Sequence, residues 1–172
     1  MLQGKHVYLR ALETEDLDFL YQLENTTAIW EISGTVTPYS KKVLKLYLEN
    51  AHRDIYDVKQ LRLVICNTAD KPIGLIDLFD FDPQHKRAGV GIIILEESDR
   101  GKGLGLETLQ LLSSYAFKTL GLRQLYANVL EENTSSIHLF KKLGFEQVGV
   151  KKDWIYFDGT YKNEVLFQKI KH

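Results

Sequence analysis

Arg100-Gly101-Lys102-Gly103-Leu104-Gly105 is the stretch on which the reading of the chain turns. It follows a short apolar strand, Val90 to Leu95, and opens a long amphipathic run from Leu104 to Leu120. Glycines at alternate positions let the backbone approach a bulky anion with no Cβ atoms in the way. A helix starting there offers unpaired N–H groups and the positive end of its dipole. Arg100 and Lys102 add positive charge to the same corner. The local reading is a pyrophosphate-binding turn. Two other glycine-rich phosphate motifs do not fit. A P-loop needs G-x-x-x-x-G-K followed by Ser or Thr, and that spacing does not occur. A dinucleotide fingerprint needs G-x-G-x-x-G, whereas the spacing here is G-x-G-x-G, after a strand that reads as part of an antiparallel hairpin.

A second segment, Asn133 to Phe145, reads as a short helix with both ends marked. Asn133 is a good N-cap, Ile137, Phe140 and Leu143 share one face, and Gly144 suits a left-handed position just past the helix. Phe145 would then pack back on Phe140, as a Schellman ending favours. The two segments lie about 28 residues apart, with one strand between them.

The pair resembles the two signature motifs of the GNAT N-acetyltransferase family. Arg100 to Gly105 matches its R-x-x-G-x-G coenzyme A signature, and Asn133 to Phe145 matches N-x-x-A/S-I-x-L-Y/F-x-K-x-G-F. Within the family, Lys86-Arg87-Ala88 and Arg-Gly-Lys-Gly-Leu look like the spermidine N-acetyltransferase branch. Val7-Tyr8-Leu9-Arg10-Ala11-Leu12 with Glu15-Asp16-Leu17 looks equally like the ribosomal-protein N-acetyltransferases. The resemblance implies acetyl-CoA as acetyl donor. It implies that Ile93, Ile94 and Leu95 meet the pantetheine arm through backbone groups. Arg100, Gly101, Lys102, Gly103, Leu104, Gly105 and Leu106 would hold the pyrophosphate, and Asn133 would approach the pantetheine or the thiol end.

Composition agrees with one modest enzyme domain spanning 1–172. A chain of 172 residues is of ordinary single-domain size. Its 22 basic and 23 acidic residues nearly cancel, so no global field draws nucleic acid or an anionic membrane. Lone Cys66, in an apolar strand, forms no internal disulfide and reads as a buried, inert thiol in a reducing compartment. No run approaches a membrane span and Met1 to Leu12 has no signal-like apolar core, so the expected location is the cytoplasm. The reading calls for no metal and leaves a homo-oligomer open.

Hydropathy patterning supplies the element order. His6 to Leu9 reads as a strand and Glu13 to Glu24 as a helix. Thr37-Pro38 reads as the entry to a second helix with Val43, Leu44, Tyr47 and Leu48 on its apolar face. Leu61, Leu63 and Ile65 alternate, Ala69-Asp70-Lys71 turns, and Pro72 to Phe79 returns. Asp82-Pro83-Gln84-His85 turns into Arg87 to Leu95. The glycine turn, its helix, the strand Leu122 to Leu130 and the Asn133 helix follow. Trp154 to Phe157 and Tyr161 to Lys169 close with a hairpin. The fold class is α+β: a single-domain, GNAT-like, mixed but mainly antiparallel twisted sheet flanked by helices.

The resemblance implies acetyl transfer to a primary amine, by direct attack on the thioester. A lysine-like amine of pKa ~10.4 is neutral in only about one part in a few thousand at pH 7, a handicap of roughly 4–5 kcal/mol. A base, a water chain or a desolvating pocket is therefore expected. A backbone N–H near Ile93 would suit the developing oxyanion. The family's tyrosine acid position holds Phe140, and a glutamate position of the polyamine branch holds Gly89. Asp77 and His85 are the candidate catalytic groups, and Asp77, Glu24 and Glu31 the candidate acceptor-binding acids, set against Lys41, Lys42 and Lys45. So few acids favour a small amine or a protein N-terminal α-amine over spermidine. Spermidine is the alternative acceptor, and a non-catalytic CoA-binding regulatory domain the competing class.

Overall fold

In the computed structural model, which describes residues 1–172, the chain forms eight strands and six helices. The strands are β1 (Leu2–Gln3), β2 (Val7–Ala11), β3 (Leu61–Asn67), β4 (Pro72–Asp82), β5 (Arg87–Ile94), β6 (Gln124–Leu130), β7 (Glu146–Phe157) and β8 (Thr160–Ile170). The helices are α1 (Leu17–Glu24), α2 (Thr27–Ser33), α3 (Lys41–Glu49), α4 (Ile55–Val58), α5 (Leu104–Lys118) and α6 (Thr134–Lys142). All strands belong to one sheet, in the order β1-β2-β3-β4-β5-β6-β8-β7. Every neighbouring pair is antiparallel except β5 and β6.

That parallel pair positions the site. It is aligned at three residue pairs only: Arg87 with Gln124, Ala88 with Leu125 and Gly89 with Tyr126. Beyond them the strands part. β5 continues against β4 as far as Ile94, and β6 continues against β8 as far as Leu130. The β5 edge from Val90 onward is left facing a wedge-shaped gap.

Both faces of the sheet are covered, so its central strands are apolar on both sides. Leu63 and Ile65 of β3 and Ile76 and Leu78 of β4 pack in the core under Leu109, Leu112 and Ala116 of α5. Their neighbours Val64, Cys66 and Leu75 point the other way, against Leu20, Leu23, Leu44 and Leu48 of α1 and α3. The period of two in strand side chains produces this division. Cys66 is wholly buried, as its apolar setting predicts.

Several boundaries differ from the sequence reading. The Glu13–Glu24 helix begins with a separate tight turn, Thr14–Asp16, because the Asp16 carboxylate accepts from the Glu13 N–H at 2.8 Å and from Arg10. The second long helix starts at Lys41 rather than at Pro38. The Asn25 side chain holds the backbone N–H and carbonyl of Tyr39, and Ser40 caps the helix by accepting from Val43 N–H at 3.2 Å. β7 starts at Glu146, well before Trp154. Its two register shifts and largely exposed side chains hide the alternation that would have announced it.

Candidate active site

The glycine turn forms as its sequence predicts. Gly103 caps α5 with φ of 80°, a left-handed conformation that costs an L side chain about 1–2 kcal/mol. The first backbone bond of the helix runs from Glu107 N–H to the Gly103 carbonyl at 3.1 Å, and the N–H groups of residues 101–106 have no acceptor within the protein. Six consecutive free donors at a helix start could hold a pyrophosphate, and the unpaired β5 edge could take the amides of a pantetheine arm. The residues present fit coenzyme A. A Cβ at Gly105 would only touch Leu139 Cδ2 of α6, at 3.4 Å, an ordinary packing distance. Glu107 ties the corner to the N-terminal loop. It accepts from the N–H groups of Lys5 and His6 and lies 3.0 Å from the His6 ring. Burial alone would raise the Glu107 pKa, but these donors hold it below the usual carboxylate range.

At the same corner the Arg100 guanidinium donates to the Ile94 carbonyl at 2.9 and 3.2 Å and to the Leu95 carbonyl at 3.3 Å, neutral acceptors that leave its charge in place. It braces the end of the strand whose edge the arm would use. Asn133 is engaged as the α6 N-cap, accepting from Ser136 N–H at 3.2 Å.

Beside the wedge lies a cavity of about 500 Å³. Glu24, Glu31, Asp77, Ile93 and Asn133, all named from sequence, line it. On one wall Arg62 reaches across to Asp77 with two parallel bonds of 2.8 and 3.0 Å and to Glu24 at 3.2 Å. Burial opposes the Arg62 charge, but the Asp77 and Glu24 carboxylates outweigh it, so its pKa is raised. The same guanidinium lies 5.8 Å from the centre of the Tyr47 ring, whose hydroxyl burial pushes up. On another wall Lys162 binds both Glu31 and Glu132, and Lys151 lies 2.7 Å from Glu164. Phe140 also lines the cavity but is only 3% exposed. Its ring stacks on Phe167 and meets Phe145 edge-on at 5.0 Å, the contact the Schellman ending predicts.

His85 is not brought to this cavity. It sits in the β4–β5 turn, beyond the end of β5 that pairs with β6, with its ring Nδ1 and backbone N–H both 2.8 Å from Asp82. The turn uses it as a hydrogen-bonding residue. Sequence reasoning missed Arg62, Phe79, Ser136 and Glu164, which also line the cavity. Arg62 was within reach, because it faces Asp77 across the β3–β4 hairpin. Glu164 had no such signal: its strand was read as Tyr161 to Lys169, but nothing in the sequence set that strand beside β6, where Glu164 pairs with Leu130.

No helix is long and apolar enough to cross a membrane. The description of an acetyltransferase (GNAT) domain matches residues 6–146. The spermidine N(1)-acetyltransferase of Escherichia coli (strain K12) is 34% identical over 172 residues, covering 100% of this chain and 90% of that protein. A crystal structure of spermidine N-acetyltransferase from Vibrio cholerae in complex with CoA and spermine superposes with a TM-score of 0.87 at 27% identity, covering 97% of this chain and 96% of that one. A dodecameric structure of the same Vibrio cholerae enzyme superposes with a TM-score of 0.81 at 29% identity, over 97% and 95% of the two chains. With the splayed strands, the free N–H cradle and both motifs in place, the chain belongs to the GNAT acetyltransferase family and is an acetyl-CoA-dependent N-acetyltransferase.

Proposed function

We propose that the acceptor is a small aliphatic primary amine carrying one or two positive charges. The observation that carries this reading is the charge balance of the cavity. Four carboxylates, Glu24, Asp77, Glu31 and Glu164, line it together with Arg62, and Lys162 and Lys151 pair with Glu31 and Glu164 from outside the lining. The excess suits a cation, yet every one of these acids already has a basic partner. A polyamine would find no uncommitted carboxylate for each of its desolvated ammonium groups. Asp77 and Glu24 hold the amine near the wedge as an ammonium ion. Water in the acid-lined cavity relays the proton to bulk solvent before attack, because both carboxylates are committed to Arg62. The acetyl thioester supplies the electrophile, and this chain's part is to orient the amine and exclude bulk solvent.

A second reading, spermidine, is favoured by the relatives, which are named for it and matched along the whole chain. Assembly into a closed oligomer accompanies either reading, on the strength of the dodecameric relative. Comparing kcat/KM for a monoamine, a diamine, spermidine and a peptide α-amine tests the proposal. The monoamine or diamine is expected to lead. A preference of about tenfold or more for spermidine, equivalent to roughly 1.4 kcal/mol, gives the second reading instead. A lead for the peptide overturns both.

A further inference from the structure

On the cavity side of the sheet, two glycines of β5 lie directly across from two side chains of β4. Gly91 is paired with Asp77 and Gly89 with Phe79. A Cβ built on Gly89 would lie 2.8 Å from Phe79 Cδ2 and closer still to Cε2 and Cζ, so the ring occupies the space that any other residue at 89 would fill. Over Gly91 the fit is looser, with the ring edge 3.8 Å from where a Cβ would stand. The ring is also held from the side. Tyr126 meets it edge-on at 5.8 Å, and the Tyr126 hydroxyl donates to Asp80 at 3.1 Å. Phe79 therefore lies on the sheet as a fixed apolar plate, two residues along the strand from Asp77 and on the same face.

We propose that Phe79, seated on Gly89, is the specificity-determining wall of the acceptor site, and that it selects amines by the length of uncharged alkyl chain laid across its ring. This rests on the small-amine reading above. An amine held at Asp77 trails its carbon chain over the plate, and each methylene removed from water there is worth about fourfold in affinity. The ring contributes through the chain rather than the nitrogen, so its effect grows with chain length and vanishes for the shortest amines.

The test is the slope of log kcat/KM against chain length for propylamine, butylamine, pentylamine and hexylamine. In the unaltered enzyme the slope is expected near fourfold per methylene until the ring is spanned. Phe79→Ala should flatten it to about twofold or less, leaving the KM for acetyl-CoA unchanged. Phe79→Leu keeps most of the volume but loses the flat face, and should give an intermediate slope even if the alanine variant folds poorly. Phe79→Ala with Gly89→Ala refills part of the gap and should stay flat. A slope unchanged in Phe79→Leu, or a loss that is equal for all four amines, overturns the wall while leaving the small-amine reading intact. An unaltered enzyme that acetylates none of the four overturns the small-amine reading, and the wall with it.

Discussion

Arg100 and Ile94 are joined head to backbone: the guanidinium grips the carbonyl oxygen of Ile94 with two nitrogens, at 2.9 and 3.2 Å. Charged hydrogen bonds of this kind are worth about 1.5–3 kcal/mol each, and here they fix the last residues of β5 against the turn that starts α5. Arg100→Ala should raise the KM for acetyl-CoA by about tenfold, the equivalent of one such bond, with little change in kcat. Arg100→Lys should recover little, because a single ammonium cannot reproduce the fork. A brace and a phosphate ligand differ in their response to salt. If Arg100 is a brace, the salt dependence of the acetyl-CoA KM will be the same in the variant and the unaltered enzyme.

Gly103→Val tests the cradle itself. The position needs φ of 80°, and a β-branched side chain there is strained and stands beside the free N–H groups. Calorimetric titration should show CoA binding weakened by about tenfold or more, since a distortion of about 1.4 kcal/mol already suffices. Unchanged CoA affinity would remove the pyrophosphate from this turn.

Phe140→Tyr tests whether a side-chain acid is needed by the leaving thiol. The ring is packed between Phe145 and Phe167 but has one edge on the cavity, next to Ser136 one turn earlier in α6. The variant should fold normally, with kcat equal to or above that of the unaltered enzyme. A loss of both thermal stability and CoA binding would mean that the hydroxyl is forced into the aromatic cluster instead.

Stability should fall in acid through Asp16. This carboxylate is 4% exposed, accepts two bonds from Arg10 at 2.7 and 2.8 Å and a third from Glu13 N–H. Burial by itself would raise its pKa, but the Arg10 and Glu13 donors hold it below the ordinary 3.8. A depressed carboxylate stabilises the fold above its unfolded pKa and loses that contribution as pH drops through the folded value. The Arg10–Asp16 contribution is therefore complete at neutral pH and declines below about pH 4. Asp16→Asn should cost about 3 kcal/mol at neutral pH, or roughly 6–12 °C in Tm, and its deficit should shrink toward low pH in thermal scans.

The fold was legible wherever burial imposed a period. β3, β4 and β5 are covered on both faces or paired on both edges, and their apolar runs were plain. Both signature helices announced themselves through caps, Asn133 at one end of α6 and Gly144 at the other. What escaped was short or exposed. α2 is seven residues long and ends in the left-handed Gly34, and β7 lies at the edge of the sheet. In the site, the acids on predicted elements, Glu24 and Asp77, came together. Their common partner Arg62 did not enter the sequence reading, because an arginine in an apolar strand looks like an edge residue until the register is known. His85 failed for the opposite reason: a histidine in a turn carries no signal of which end of the sheet the turn occupies.

Three residue pairs join the half of the sheet that ends in β5 to the half that begins with β6. Mechanically this is a narrow seam, and a ligand lying in the open wedge becomes a bridge across it. The enzyme is thus a protein in which a narrow joint within the sheet is bridged by its own cosubstrate. At a concentration one hundred times its dissociation constant such a ligand adds about 2.7 kcal/mol, enough to raise Tm by roughly 5–10 °C. Resistance to heat and to proteolysis then rises and falls with the supply of acetyl-CoA. A cell short of the acetyl donor would lose this enzyme sooner than one that is well supplied.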